Sequence, residues 1–155
     1  MRRSFLASVL LLAGGALADG EAPVLGKALQ AAQRDACISQ LKQIGLGLRL
    51  YEDREGKFPP NLEALFKAGD VADLKLFLCP RCGEKAGNTF KTHYVYLPVE
   101  KESDNPSLRI VVHDEVPCHL SGNVMERCVL SEDGSARAMS EEKFQELLKA
   151  QKAGK

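Results

Sequence analysis

The chain has 155 residues, with 21 Lys and Arg against 21 Asp and Glu, 45% apolar residues, few aromatics and no Trp. That length suits one domain with a single core. Balanced charge without a basic stripe gives nothing to neutralise a phosphate backbone, which excludes nucleic acid as a partner, and the scarcity of aromatic rings speaks against a stacking platform.

The first segment pairs Arg2 and Arg3 with an apolar run over 5–18 that ends in Ala16-Leu17-Ala18. A positive end, a short apolar core and an A-x-A site are the parts of a cleavable secretory signal peptide, expected over 1–18. The run is too short to span a bilayer, and no later segment is apolar for long enough. The expectation is a periplasmic or secreted chain with no membrane span after cleavage. A single domain over 19–150 and a frayed tail over 151–155 should follow. All five cysteines, Cys37, Cys79, Cys82, Cys118 and Cys128, lie beyond the signal peptide and would meet oxidising conditions in which disulfides persist. The odd number leaves at least one thiol unpaired in a monomer.

A helical pattern over 23–51 places Cys37, Leu41, Ile44, Leu48 and Tyr51 along one stripe. Gly45 and Gly47 each weaken a helix interior by about 1 kcal/mol relative to Ala, so close backbone approach is expected there. Phe58-Pro59-Pro60-Asn61 stops the helix, and Asn61 caps a short second one carrying Leu62, Leu65 and Phe66. The apolar run at 75–78 leads into Cys79-Pro80-Arg81-Cys82-Gly83, a tight turn. Runs over 92–97, 108–113 and 124–130 are short, β-branched or aromatic, and divided by turn residues, as antiparallel strands are. Asp133-Gly134 marks a hairpin into a last strand over 136–139. Ser140 then caps a closing helix with Phe144, Leu147 and Leu148 inward. A long helix followed by a small antiparallel sheet and a short C-terminal helix is an α+β order, with the sheet as the natural partner of the Cys37 to Tyr51 stripe.

The blocks Cys37-Ile38-Ser39-Gln40-Leu41-Lys42-Gln43-Ile44-Gly45-Leu46-Gly47-Leu48 with Tyr51, Gly56-Lys57-Phe58-Pro59-Pro60, Phe77-Leu78-Cys79-Pro80, Tyr94-Val95-Tyr96-Leu97-Pro98, Asp133-Gly134 and Ser140-Glu141-Glu142-Lys143-Phe144 follow one another in order. Together they resemble bacterial type IV pilin-like and type II secretion pseudopilin-like proteins, in particular the prepilin-type processing-associated branch. The resemblance implies a long helix on an antiparallel sheet and a short strand ending at Cys79-Pro80. It also implies a non-catalytic structural or interaction role among protein partners at the cell envelope. Since a conventional signal peptide stands where the family keeps its anchoring half-helix, the implied part is a soluble accessory of a secretion or pilus apparatus. The loops around 100–106 and 117–123 would carry recognition.

On this fold Cys79 falls against the helix, so a Cys37–Cys79 bridge would pin helix to sheet and contribute about 4 kcal/mol by loop entropy. Cys118 and Cys128 flank the Gly122-Asn123 turn signal and form a second candidate bridge, leaving Cys82 unpaired. The competing reading takes Cys79 and Cys82 as half of a zinc site, because C-x-x-C on a tight turn offers two thiolates to one tetrahedral ion. His93, His113, Cys118, His119 and Cys128 are the available further donors. A thiol-redox reading of the same motif is weaker, since the residues after Cys82 make a poor helix start. His113 and His119 are expected at the surface near a sheet end. Adjacent residues on a strand face opposite ways, which speaks against Cys118 and His119 as a catalytic pair.

Overall fold

A computed structural model describes residues 21–83, 85, 87–99 and 103–153. The expected signal peptide lies outside the described residues, as do 100–102 of the expected recognition loop and 154–155 of the tail. Helix α1 (Glu21–Glu55) buries Cys37, Leu41, Ile44 and Leu48 and half-buries Tyr51, so the expected stripe is the face laid on the sheet. The two glycines stand where neighbours come close. A Cβ on Gly45 would lie 3.0 Å from Leu130 Cδ1; one on Gly47 would lie 2.3 Å from Val71 Cγ2 and 3.3 Å from the Asp70 carbonyl oxygen.

Helix α2 (Leu62–Lys67) is capped by Asn61, whose side-chain oxygen accepts the Ala64 N–H at 2.8 Å. The segment before Cys79 is a 3-10 turn, Leu74–Phe77, where a strand was expected. The cause is local: the Asp73 carboxylate accepts the Lys75 N–H, and the Leu78 N–H closes onto the Lys75 carbonyl. Phe77, buried against the Phe66 and Phe90 rings, holds the turn in place.

The sheet is antiparallel throughout, with strands β1 (Tyr94–Tyr96), β2 (Ile110–Asp114), β3 (His119–Ser121), β4 (Val124–Ser131) and β5 (Ala136–Ser140). Four of these were expected; β3 was not. Glu126 pairs with His119 and with Ser140, and Val129 pairs with His113 and with Arg137. Strands β2 and β3 therefore lie end to end along one edge of β4, and β5 runs along the other. Asp133-Gly134 makes the β4–β5 hairpin, with Gly134 at φ +83° and the Asp133 carboxylate accepting the Ser135 N–H.

One sheet face, with Val112, Cys128 and Leu130, packs on α1. The opposite face, with Ile110, Val129 and Met139, receives Phe144 of helix α3 (Glu141–Ala153). Ser140 caps α3 by accepting the Lys143 N–H. The tail expected to fray from 151 is helical to Ala153, because the Gln151 amide both accepts from the Ile110 N–H and donates to the Ile110 carbonyl. The molecule is thus α+β, a long helix and a short one on either side of a five-stranded sheet. No helix among the described residues is long and apolar enough to cross a membrane.

Candidate metal centre

The connection at 115–118, where β2 gives way to β3, interrupts the edge facing Arg127 and Cys128. With no strand there to accept it, the Cys128 N–H donates instead to the Asp114 carboxylate, Oδ2, at 2.7 Å. Strand alternation sets Val112 and Asp114 on the α1 face while His113 turns to the other, its ring 4.7 Å from that of Phe144. His119, at the start of β3, shares its face with Glu126 and Cys128. The interruption thus aims Asp114, His119 and Cys128 at Cys37 on α1.

Cys79 enters from the 3-10 turn. Its backbone N–H donates to His93 Nδ1 at 3.2 Å, and its carbonyl accepts the Cys82 N–H at 3.1 Å, which closes the Cys79-Pro80-Arg81-Cys82 turn. Cys79 Sγ lies 3.4 Å from Cys118 Sγ and 3.5 Å from His119 Nε2. The same Nε2 lies 3.5 Å from Asp114 Oδ2, and Asp114 Oδ1 accepts the Cys37 thiol at 3.4 Å. Tyr94 Oη sits 3.3 Å from Cys37 Sγ and donates to Gln40 Oε1. The donor atoms of Cys37, Cys79, Asp114 and His119 all fall within 4.8 Å of one another, and all four residues are buried.

The charges in this group are unusual for a protein interior. His119 is fully buried and Asp114 is 1% exposed. The Arg127 guanidinium approaches the Asp114 backbone but donates to the carbonyls of Asp114 and Glu115, and otherwise pairs with Glu141. Burial lifts the Asp114 carboxyl to about 6, against the pull of the Cys128 N–H. Burial alone would lower His119; hydrogen bonds with Cys128 and Cys79 outweigh it and lift the imidazole to about 10. Hydrogen bonds from Cys118 and Cys37 draw the Cys79 thiol far down, and that from Cys37 lowers Cys128. Cys37 and Cys118, the other partners in those bonds, are pushed up. Of these thiols, Cys79 and Cys128 are the two whose surroundings favour the thiolate.

Two carboxylate- or thiolate-based chemistries can be told apart by these contacts. A nucleophilic triad needs the imidazole to face its nucleophile with one nitrogen and its orienting acid with the other. Here Cys79 and Asp114 both address Nε2, and Nδ1 makes no hydrogen bond among the described residues. Two sulfurs, one imidazole nitrogen and one carboxylate oxygen converging on a common point is instead the donor set of a four-coordinate zinc ion. The redox reading of C-x-x-C finds little support: the buried Cys79 precedes the exposed Cys82, and among the described residues no helix begins just after them.

Of the cysteines singled out in the sequence, Cys37 and Cys79 do come together, and no disulfide joins any of the five in the structure. Cys118 meets Cys79, and the β3–β4 register puts His119 rather than Cys118 on the Cys128 face. Cys79, Cys82 and Cys118 form a second group of sulfurs within 4.8 Å of one another. Among the further zinc donors considered, Cys118 and His119 reach Cys79, His93 spends Nδ1 on the Cys79 backbone, and His113 lies across the sheet. The surface placement expected for His113 and His119 is corrected: both are buried, because the unforeseen β3 continues the edge and carries His119 under α1. Asp114 and Tyr94 were not among the expected ligands: Tyr94 entered only through the Tyr94-Val95-Tyr96 block, and Asp114 only as the neighbour of His113. Comparison with protein-family models, with curated proteins and with solved structures returns no match.

Proposed function

We propose that this chain is an exported, pilin-like structural or interaction module without catalytic activity, in which a zinc ion held by Cys37, Cys79, Asp114 and His119 locks the long helix to the sheet. The observation that carries the ion is the convergence of four buried donors from four separate parts of the chain on one point. The buried Asp114 carboxylate and the low-lying Cys79 thiol both meet the His119 imidazole, and a divalent cation among the three would supply the compensation that a protonated His119 otherwise gives. Four protein ligands leave no open position for water or substrate, which supports a structural rather than a catalytic ion. Export and the pilin-like role rest on the leader sequence, on the order of the motifs and on the long-helix-on-sheet arrangement they imply. Protein partners at the cell envelope follow from that role.

The test is intact native mass spectrometry of the secreted protein, before and after chelator, with alkylation counting the thiols. One zinc retained by reduced cysteines, and lost together with much of the thermal stability on chelation, is the expected result. A metal-free protein with two disulfides would overturn the reading.

A further inference from the structure

The second sulfur group differs from the first in one respect. Cys79 is buried and Cys118 is half-buried, whereas Cys82 is exposed, so the three sulfurs run from the core to solvent. Cys79 belongs to both groups. Its sulfur lies 3.4 Å from Cys118 Sγ in the outer group and 3.5 Å from His119 Nε2 in the inner one. A thiolate has lone pairs enough to serve two ions at once, and three sulfurs with one side open to water make a trigonal site that soft d10 cations accept.

Resting on the reading of the buried group as an ion site, we propose that Cys79, Cys82 and Cys118 form a second, solvent-facing site for a thiophilic cation, with Cys79 Sγ bridging it to the first. Loading this site releases the thiol protons of Cys82 and Cys118 to solvent and leaves the buried ligand set unchanged. The closed inner ion is the structural one; the outer ion, reached directly from water, exchanges with thiols or partners in solution.

The full chain, reduced and metal-free under anaerobic conditions, is titrated with Cd2+ and followed by thiolate charge-transfer absorbance and native mass. Two equivalents are expected on the wild type and one on Cys82→Ser, a change at an exposed position that leaves the core intact. Cys37→Ser should also keep one, at the outer site. If the wild type and Cys82→Ser both take one equivalent, the outer site is refuted and the inner ion stands. If the wild type takes one equivalent that Cys82→Ser loses and Cys37→Ser keeps, the inner reading fails, and the bridged pair with it. Circular dichroism of each apo variant against apo wild type separates loss of a ligand from loss of the fold.

Discussion

At the scale of single residues, the site depends on groups that hold the donors as much as on the donors. Tyr94 Oη lies 3.3 Å from Cys37 Sγ and donates to Gln40 Oε1; once Cys37 is an ionised ligand, the same hydroxyl is placed to donate to the sulfur instead. Outer partners of this kind are worth about 10- to 100-fold in metal affinity. Tyr94→Phe should therefore weaken zinc binding by at least about tenfold in a competition titration. It keeps the ring, so the fold should survive. Gly47 makes a second test of the close contacts. Replacing it by Ala gains about 1 kcal/mol of helix propensity, but the new methyl meets a stiff β-branched side chain 2.3 Å away, and overpacking costs about 1–3 kcal/mol. Gly47→Ala should lower stability in urea unfolding, whereas Gly45→Ala, which meets only the end of a Leu130 side chain at 3.0 Å, should be near neutral.

At the scale of elements, helix α3 is tied to the sheet by Arg127, which pairs with Glu141 and lies over the Phe144 ring at 4.4 Å. The Arg127 hydrogen bond holds the Glu141 carboxyl below its usual range, against partial burial and with further help from Gln145 and the nearby His113. An acid whose folded pKa is depressed contributes stability above its unfolded value, about 4.5, and loses it as pH falls through the folded one. Glu141→Gln should thus cost up to about 1 kcal/mol at pH 7, given that Glu141 is partly exposed. The difference from wild type should shrink as pH falls from about 4.5 through the depressed folded value in urea unfolding. If it does not, charge is not the link. Arg127 also holds the carbonyls of Asp114 and Glu115, so the same residue joins the α3 face to the corner that aims Asp114.

The elements themselves were legible to different degrees, for physical reasons. The stripe of α1 repeats long enough to fix both its period and its buried face; β2 and β4 carry β-branched residues between clear turns, and β5, which has none, was legible from the Asp133-Gly134 hairpin before it. The run before Cys79 was ambiguous, since a few apolar residues satisfy a strand or a 3-10 turn equally and the Asp73 cap decides. Strand β3 is three residues long and follows Pro117, too short to show alternation. Missing it sent His119 to the surface and hid half of the site. C-x-x-C announced Cys79 and Cys82 by spacing alone, whereas Asp114 and His119 meet Cys79 only through the break between β2 and β3.

At the scale of the whole molecule, the four inner donors come from α1, the turn after the 3-10 segment, the end of β2 and the start of β3. An ion at their centre joins the long helix, the connecting segment and the sheet, and its binding free energy becomes folding free energy. The core also has its own apolar support in Leu41, Ile44, Leu65, Phe77 and Leu130, so loss of the ion should loosen the seam beneath Cys37 rather than dissolve the sheet. The first turns of α1 expose Val24, Leu25 and Leu29 beyond that seam. The most direct test is a crystal structure of the protein purified without chelator, with anomalous data collected on both sides of the zinc edge. A zinc ion held by the four donors gives an edge-dependent peak among Cys37 Sγ, Cys79 Sγ, Asp114 and His119 Nε2, about 2.3 Å from the sulfurs and about 2.0–2.2 Å from the nitrogen and oxygen. No peak there, with continuous density joining two of the cysteine sulfurs instead, would contradict the metal centre.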